Sequence, residues 1–267
     1  MIANYHQIQA VDTMVPGWKR ILDIALIILL LPLILVVGGL VALTILLVSR
    51  GPIFFRQERV GHLGKPFLIL KFRTMHVGAD TSKHLGHVSS LLNSDAPMMK
   101  MDAQGDSRII PLGTWIRAAG LDELPQLINV LRGEMSLVGP RPCLPFESAH
   151  YREWQKERFN TLPGLTGLWQ VSGKNNTTFQ EMIQLDIEYS RTKSLSLDLE
   201  IIVRTFPAMF IQMLETRKRR QQAAKPVVDF APQPEEITCR TYRRSSPLSS
   251  RDSISMGRGV RSTFRAN

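Results

Sequence analysis

Gly120 to Pro142 reads GLDELPQLINVLRGEMSLVGPRP. Two adjacent carboxylates, Asp122 and Glu123, stand where an apolar-periodic segment begins. Leu124, Leu127, Ile128 and Leu131 form its stripe, Gly133 ends it, and a Gly-Pro-Arg-Pro turn follows. The pattern predicts a short helix with Asp122 as N-cap and Pro125 in the first turn, where a missing N–H is harmless. A helix start gathers free N–H groups and attracts anions, and Arg117 and Arg141 bracket the region. Two chemistries fit. Asp122 is a plain cap, or the acid pair sits beside a phosphate site and works with a divalent cation. Alone, the segment is an ordinary capped helix; the residues around it have to decide.

The chain has 267 residues and a formal net charge of +10. That excess is local: from Arg217 onward there are 12 Lys or Arg and 4 Asp or Glu, so +8 of the +10 belongs to the tail. The near-neutral body lacks a stacking or groove-reading motif, which argues against a nucleic-acid partner. Cys143 and Cys239 lie far apart with no metal-ligand spacing and read as free thiols in a reducing compartment. The histidines His62, His76, His84, His87 and His150 form no metal spacing either.

Ile24 to Val48 contains no charged residue. As a helix it would be roughly 37 Å long, enough to cross a bilayer. Pro32 interrupts the run and Gly38-Gly39 follow, which predicts a kink or break. Lys19 and Arg20 precede it, while Arg50, Arg56 and Arg59 follow, so both flanks favour the cytoplasmic side. A Pro-broken, re-entrant helix bent near Pro32 satisfies both facts.

Outward from there, residues 1–17 form a polar arm, 18–48 the membrane element, 49–216 a catalytic domain and 217–267 a disordered basic tail. Residues 51–75 alternate as a β-hairpin turning at Gly61 to Lys65. Residues 76–107 read as polar loop and 108–132 as helical. Tyr151 to Asn160 reads as an exposed charged helix, and Pro163 to Lys174 as Gly-rich loop with a strand at LWQV. Thr178 and Glu181 are spaced as a capping box for a helix to Arg191. Leu195 to Glu215 is apolar and helical, interrupted by Pro207. Its Asp198, Glu200 and Arg204 suit an interfacial helix better than a second span. The fold class is mainly α with a small β-hairpin, as a monotopic membrane protein with a cytoplasmic catalytic domain.

Several motifs now stand in order: KRILDIA at Lys19, GPIFFRQERVG at Gly51, KFRTM at Lys71, LDELPQLINVLRGEMSLVGPRP at Leu121 and PGLTGLWQVSGKN at Pro163. LDIEYSRTKSLSLDLEIIVRT follows at Leu185. Together they resemble the bacterial sugar transferase family, the monotopic phosphoglycosyl transferases, over about residues 16–215, and within it the exopolysaccharide-priming branch. The resemblance implies transfer of a sugar-1-phosphate from a UDP-sugar to undecaprenyl phosphate, releasing UMP. This is the first step of exopolysaccharide or other surface-glycan synthesis, at the cytoplasmic face of the bacterial inner membrane. It implies Asp122 as nucleophile forming a phosphosugar intermediate, Glu123 as the second acid, and Mg²⁺ held in the acid-pair region by Asp122 and Glu123. A hexose such as glucose or galactose is the implied sugar, membrane lipid a partner, and a homodimer compatible with the pattern. A catalytically inactive scaffold of a polysaccharide assembly complex is the competing reading, and the intact acid pair and Arg141 oppose it.

The residues make sense of that chemistry. Attack of an anion on a diphosphate must overcome charge repulsion, so cations are required. Lys71, Arg117 and Arg141 are assigned to the phosphates. The alternatives are an exposed strand-end lysine for Lys71 and a surface ion pair for Arg117. Asp186 is expected to pair with an active-site Arg or support the metal, or else to be a helix-surface acid. Gln170 is assigned to the nucleotide or sugar pocket; Trp169 beside it reads more simply as core.

Overall fold

The computed structural model describes residues 14–78, 108–173 and 177–223, with Gly86 and Asp106 besides. The expectations for the polar arm before Met14, most of the 76–107 loop, His84, His87, Cys239 and residues 224–267 lie outside these. The described chain is mostly helical, with one antiparallel hairpin and one short parallel strand pair.

Helix α1, Gly17–Val48, carries the uncharged run. Among the described residues it is the helix long and apolar enough to cross a membrane. The expected break at Pro32 is not a break in secondary structure, because the helix includes Pro32. A proline removes one backbone hydrogen bond, and the turns on either side persist. Both ends of α1 pack on the rest of the protein. Ile27 meets Ile69, Val130 and Met135, while Val41 and Ile45 meet Phe72, Ile110 and Ile116. Between them, Ile28 to Leu40 contains no buried residue.

The N-terminal end is fastened by polar contacts. Lys19 Nζ pairs with Asp198 Oδ2 at 2.6 Å and donates to the Tyr189 hydroxyl at 2.7 Å. Asp23 Oδ1 accepts from Ser136 Oγ at 3.0 Å and from the Leu137 N–H at 2.9 Å. The Arg20 guanidinium donates to the carbonyls of Val130 and Leu131. Lys19 is thus buried and neutralised inside the fold, which removes it from the flanking charges that set orientation. The other end is closed by Arg73, which donates to Ser49 O at 3.0 Å, Arg50 O at 3.0 Å and Pro52 O at 2.6 Å. These carbonyls follow the last helical turn, where acceptors lack helical partners.

The hairpin pairs β1, Phe54–Val60, with β2, Pro66–Phe72, in a register that sets Phe55 opposite Lys71. Ile69 and Phe72 both pack on α1, although residues three apart fall on opposite faces of a regular strand; the burial departs from strict alternation at the end of β2. Helix α2 is Gly113–Ala118, a 3-10 turn is Leu121–Glu123, and helix α3 is Gln126–Arg132. Strand β3, Ser136–Val138, runs parallel to β4, Gly164–Thr166. The strand therefore lies at GLT, and the LWQV segment expected to be extended is instead helix α5, Leu168–Val171. The close crossing explains the glycines. A Cβ on Gly164 would stand 2.1 Å from Gly139 N, and one on Gly139 would stand 2.2 Å from Leu162 O.

Helix α4 is Pro145–Ala149, followed by a 3-10 segment at Glu153–Asn160. That segment, expected to be exposed, buries Gln155 and Arg158. Helix α6, Phe179–Thr192, opens with the predicted box: Glu181 N–H donates to Thr178 Oγ1 at 3.2 Å and Thr178 N–H to Glu181 Oε2 at 2.7 Å. Helix α7, Leu195–Ala223, corrects two expectations. It is not interrupted at Pro207, and it runs past residue 217, where the disordered tail was expected to begin. Lys, Arg and Gln are good helix formers and extend a helix already nucleated upstream.

Candidate active site

The acid pair sits on a sharp backbone feature. Gly120 adopts φ 66°, a left-handed conformation that glycine takes without strain, and hands the chain into the Leu121–Glu123 turn. Asp122 is not the N-cap of the following helix. Pro125 occupies that position, with no side-chain cap, and Gly120 heads the turn. Helix α3 is too short, at 7 residues, for its dipole to dominate the charge balance. Asp122 is buried at 7% exposure, and Glu123 is partly open. Lys71 Nζ, at the end of β2, pairs with Glu123 Oε1 at 2.9 Å.

That meeting is enforced by Asn129, which is fully buried. Its amide imitates a peptide along the free edge of β2. Oδ1 accepts from the Leu70 N–H at 3.1 Å, while Nδ2 donates to Leu68 O at 2.8 Å and to Glu134 Oε2 at 2.7 Å. Helix α3 is thereby registered on β2, and Glu123 is carried to Lys71. Nothing in the pattern LINVL distinguished this asparagine from a surface residue.

The KFRTM motif serves three neighbours. Lys71 meets Glu123, Arg73 closes α1, and Thr74 Oγ1 accepts from Arg117 at 3.4 Å. Arg117 therefore faces the end of β2 as part of the same cluster. Arg141 follows β3 in the Gly139–Pro142 turn. Its charge acts on Arg59 and on Asp186, and Arg59 also feels Glu123, so this turn shares an electrostatic neighbourhood with the acid pair. A small cleft between the end of β1 and this turn is lined by Val60, Gly61, Pro140, Arg141, Arg158 and Thr161.

Asp186 pairs with Arg158 at 2.5 Å, both side chains being at most 2% exposed. Burial pushes the Asp186 carboxyl up to about 6, against the opposing pull of Arg158 and Arg141. The expected arginine partner thus exists, but it is Arg158, which lay hidden in the charged run EWQKER. Arg158 also donates to the Tyr151 hydroxyl at 2.6 Å. Gln170 lies in helix α5, facing back toward β4. Its amide donates to Leu165 O at 2.8 Å, and its Oε1 is buried without a partner. Trp169 is core, packed with Val60, Cys143, Tyr151 and Phe179.

The donor set suits Mg²⁺ rather than a transition metal. Among the described residues no group of three or more His, Cys, Asp or Glu could hold an ion. Two hard carboxylates on consecutive residues fit a cation that takes one or two protein oxygens and completes its shell with phosphate and water.

Comparison with known proteins adds to this geometry. Residues 14–212 match the family described as bacterial sugar transferase. A protein of Caulobacter vibrioides named UDP-glucose:undecaprenyl-phosphate glucose-1-phosphate transferase is 42% identical over 199 residues, covering 72% of this chain and 69% of that protein. The exopolysaccharide production protein ExoY of Sinorhizobium fredii is 38% identical over 195 residues, 72% of this chain and 84% of its own. The galactosyl transferase CpsE of Streptococcus agalactiae serotype III is 39% identical over 197 residues, 72% of this chain but 42% of that longer protein.

Proposed function

This chain belongs to the bacterial sugar transferase family and is a phosphoglycosyl transferase; we propose that it moves a hexose-1-phosphate from a UDP-hexose to undecaprenyl phosphate at the membrane surface. The observation that carries this reading is the buried Asp122 beside the Glu123–Lys71 pair, in a domain that packs on both ends of an apolar helix.

The Asp122 carboxylate attacks the phosphorus that bears the sugar. A P–O bond to Asp122 forms, the bond to the bridging oxygen of the diphosphate breaks, and UMP leaves with that oxygen. An oxygen of undecaprenyl phosphate then attacks the same phosphorus and releases Asp122 as a carboxylate, so each half-reaction exchanges one P–O bond for another. Lys71 holds Glu123 in place and offsets its charge, and Arg117 and Arg141 face the diphosphate. Mg²⁺, held by Asp122 and Glu123 together with substrate phosphates, would neutralise charge on the transferred group. Relatives are named for glucose and for galactose, which supports a hexose without choosing between them.

The membrane reading is a re-entrant α1. Its two ends pack on one domain while Ile28 to Leu40 stays unburied, and Val203, Phe206, Phe210 and Leu214 of α7 are exposed apolar residues for the same interface. Single cysteines placed next to residues 15 and 51 are expected to resist a membrane-impermeant thiol reagent added from the periplasmic side. Reaction of either one would defeat the re-entrant topology.

The function itself is tested by supplying membranes with radiolabelled UDP-glucose or UDP-galactose, undecaprenyl phosphate and Mg²⁺. Label should enter the lipid extract and be lost with a chelator. Absence of lipid label with every common UDP-hexose would remove the transferase reading and leave a scaffold.

A further inference from the structure

Three consecutive carbonyls in the Arg141 turn are each taken by a donor from elsewhere in the chain. Arg141 O accepts from Arg158 Nη2 at 2.8 Å, Pro142 O from Arg59 Nη1 at 3.2 Å, and Cys143 O from the Val60 N–H at 3.0 Å. The backbone that aims Arg141 is therefore clamped between two buried guanidinium groups, one from the end of β1 and one from the 153–160 segment.

The two clamps differ in charge balance. Arg158 is closed by Asp186 and by the Tyr151 hydroxyl. Arg59 is 7% exposed and makes no ion pair among the described residues. Its Nη2 donates to Gln57 Oε1 at 2.7 Å, and its Nε is buried without a partner. Burial and the Arg141 charge push its pKa down to about 10, while Glu147 and Glu123 act on it from farther off. At neutral pH it remains a cation. A buried cation without a counter-ion is costly, and its two hydrogen bonds to neutral oxygens do not require a charge. An anion bound at Arg141 would compensate it.

We propose that Arg59 is a positioning residue for Arg141, fixing the turn through Pro142 O and adding an uncompensated positive charge that draws the donor diphosphate to the Arg141 side chain. This rests on the reading of Arg141 as a phosphate ligand.

The test is a double-mutant cycle on the full chain in detergent or nanodiscs, with UDP-hexose as the varied substrate. Arg59→Gln is expected to raise the donor KM roughly tenfold, the scale of one charge-assisted contact, with a smaller change in kcat. Arg59→Lys keeps the charge and should recover part of the loss. In an Arg141→Ala background, Arg59→Gln should have little further effect, since it acts through Arg141. Where turnover of Arg141→Ala is too slow to measure, the same cycle is read on UDP affinity by calorimetry. A melting temperature lowered by Arg59→Gln with an unchanged KM would make Arg59 structural only and overturn the proposal. Equal effects in both backgrounds would overturn the positioning role while leaving Arg141 as a ligand. An Arg141→Ala enzyme with unchanged KM and affinity would overturn both, beginning with the phosphate role of Arg141.

Discussion

Asp122→Asn is expected to lower turnover by on the order of 10⁴-fold or more, the range seen when a covalent nucleophile is removed, while the protein folds normally. The amide is nearly isosteric with the carboxylate, so the Leu121–Glu123 turn and the Lys71–Glu123 pair should persist. The loss is chemical, because an amide oxygen does not form the acyl phosphate. Glu123→Gln should cost less, since it frees Lys71 and weakens charge neutralisation without removing the attacking oxygen. Steady-state rates for both variants, with melting temperatures as the folding control, separate nucleophile from neighbour. Near-wild-type turnover of Asp122→Asn would assign the acid pair a structural role.

The largest expected effect on stability comes from Arg158→Met. It leaves the Asp186 carboxylate buried with no counter-ion, and losses of about 3–5 kcal/mol are typical of breaking a buried pair from one side. It also frees the carbonyl of Arg141, so activity should fall with stability. The deficit should depend on pH with a definite sign. Asp186 already titrates above its ordinary range, at about 6, so its contribution favours the folded state below about pH 4 and is lost as pH rises through about 6. Without Arg158 the carboxyl shifts further up, and the variant should be less impaired at pH 5 than at pH 8. Arg158→Met with Asp186→Leu should recover much of the stability, because no charge is then stranded. Unfolding midpoints across pH check this, and a deficit independent of pH would mean that Asp186 is not the stranded group.

The residues differ in how far sequence alone revealed them. The hairpin was legible because two β-rich runs flank the Gly61 to Lys65 turn, and the Thr178 box because both partners lie within one turn. Asp122 and Glu123 were legible through the ordered motifs around them, although the cap reading of Asp122 gave way to a 3-10 turn headed by Gly120. What stayed hidden was long-range. Lys19 looked like a flanking charge, yet it pairs with Asp198, 179 residues away. Arg158 looked solvated, and its partner Asp186 lies 28 residues on. The β4 strand and helix α5 were exchanged because pairing with β3, rather than local β propensity, selects GLT over LWQV. Pro32 and Pro207 suggested interruptions, but each lies within one helix that packing elsewhere along its length holds together. The hydrogen bond from the Gln170 amide to Leu165 O was not legible either, because it depends on the turn between β4 and α5.

The covalent step is open to direct observation. The purified enzyme is mixed with UDP-hexose and Mg²⁺ but no lipid acceptor, quenched, and digested for peptide mass mapping. The expected result is one hexose-phosphate adduct on the peptide containing Asp122, released on addition of undecaprenyl phosphate and absent from Asp122→Asn. An active enzyme that forms no adduct, or forms it on a peptide without Asp122, would contradict the assignment of Asp122 as nucleophile.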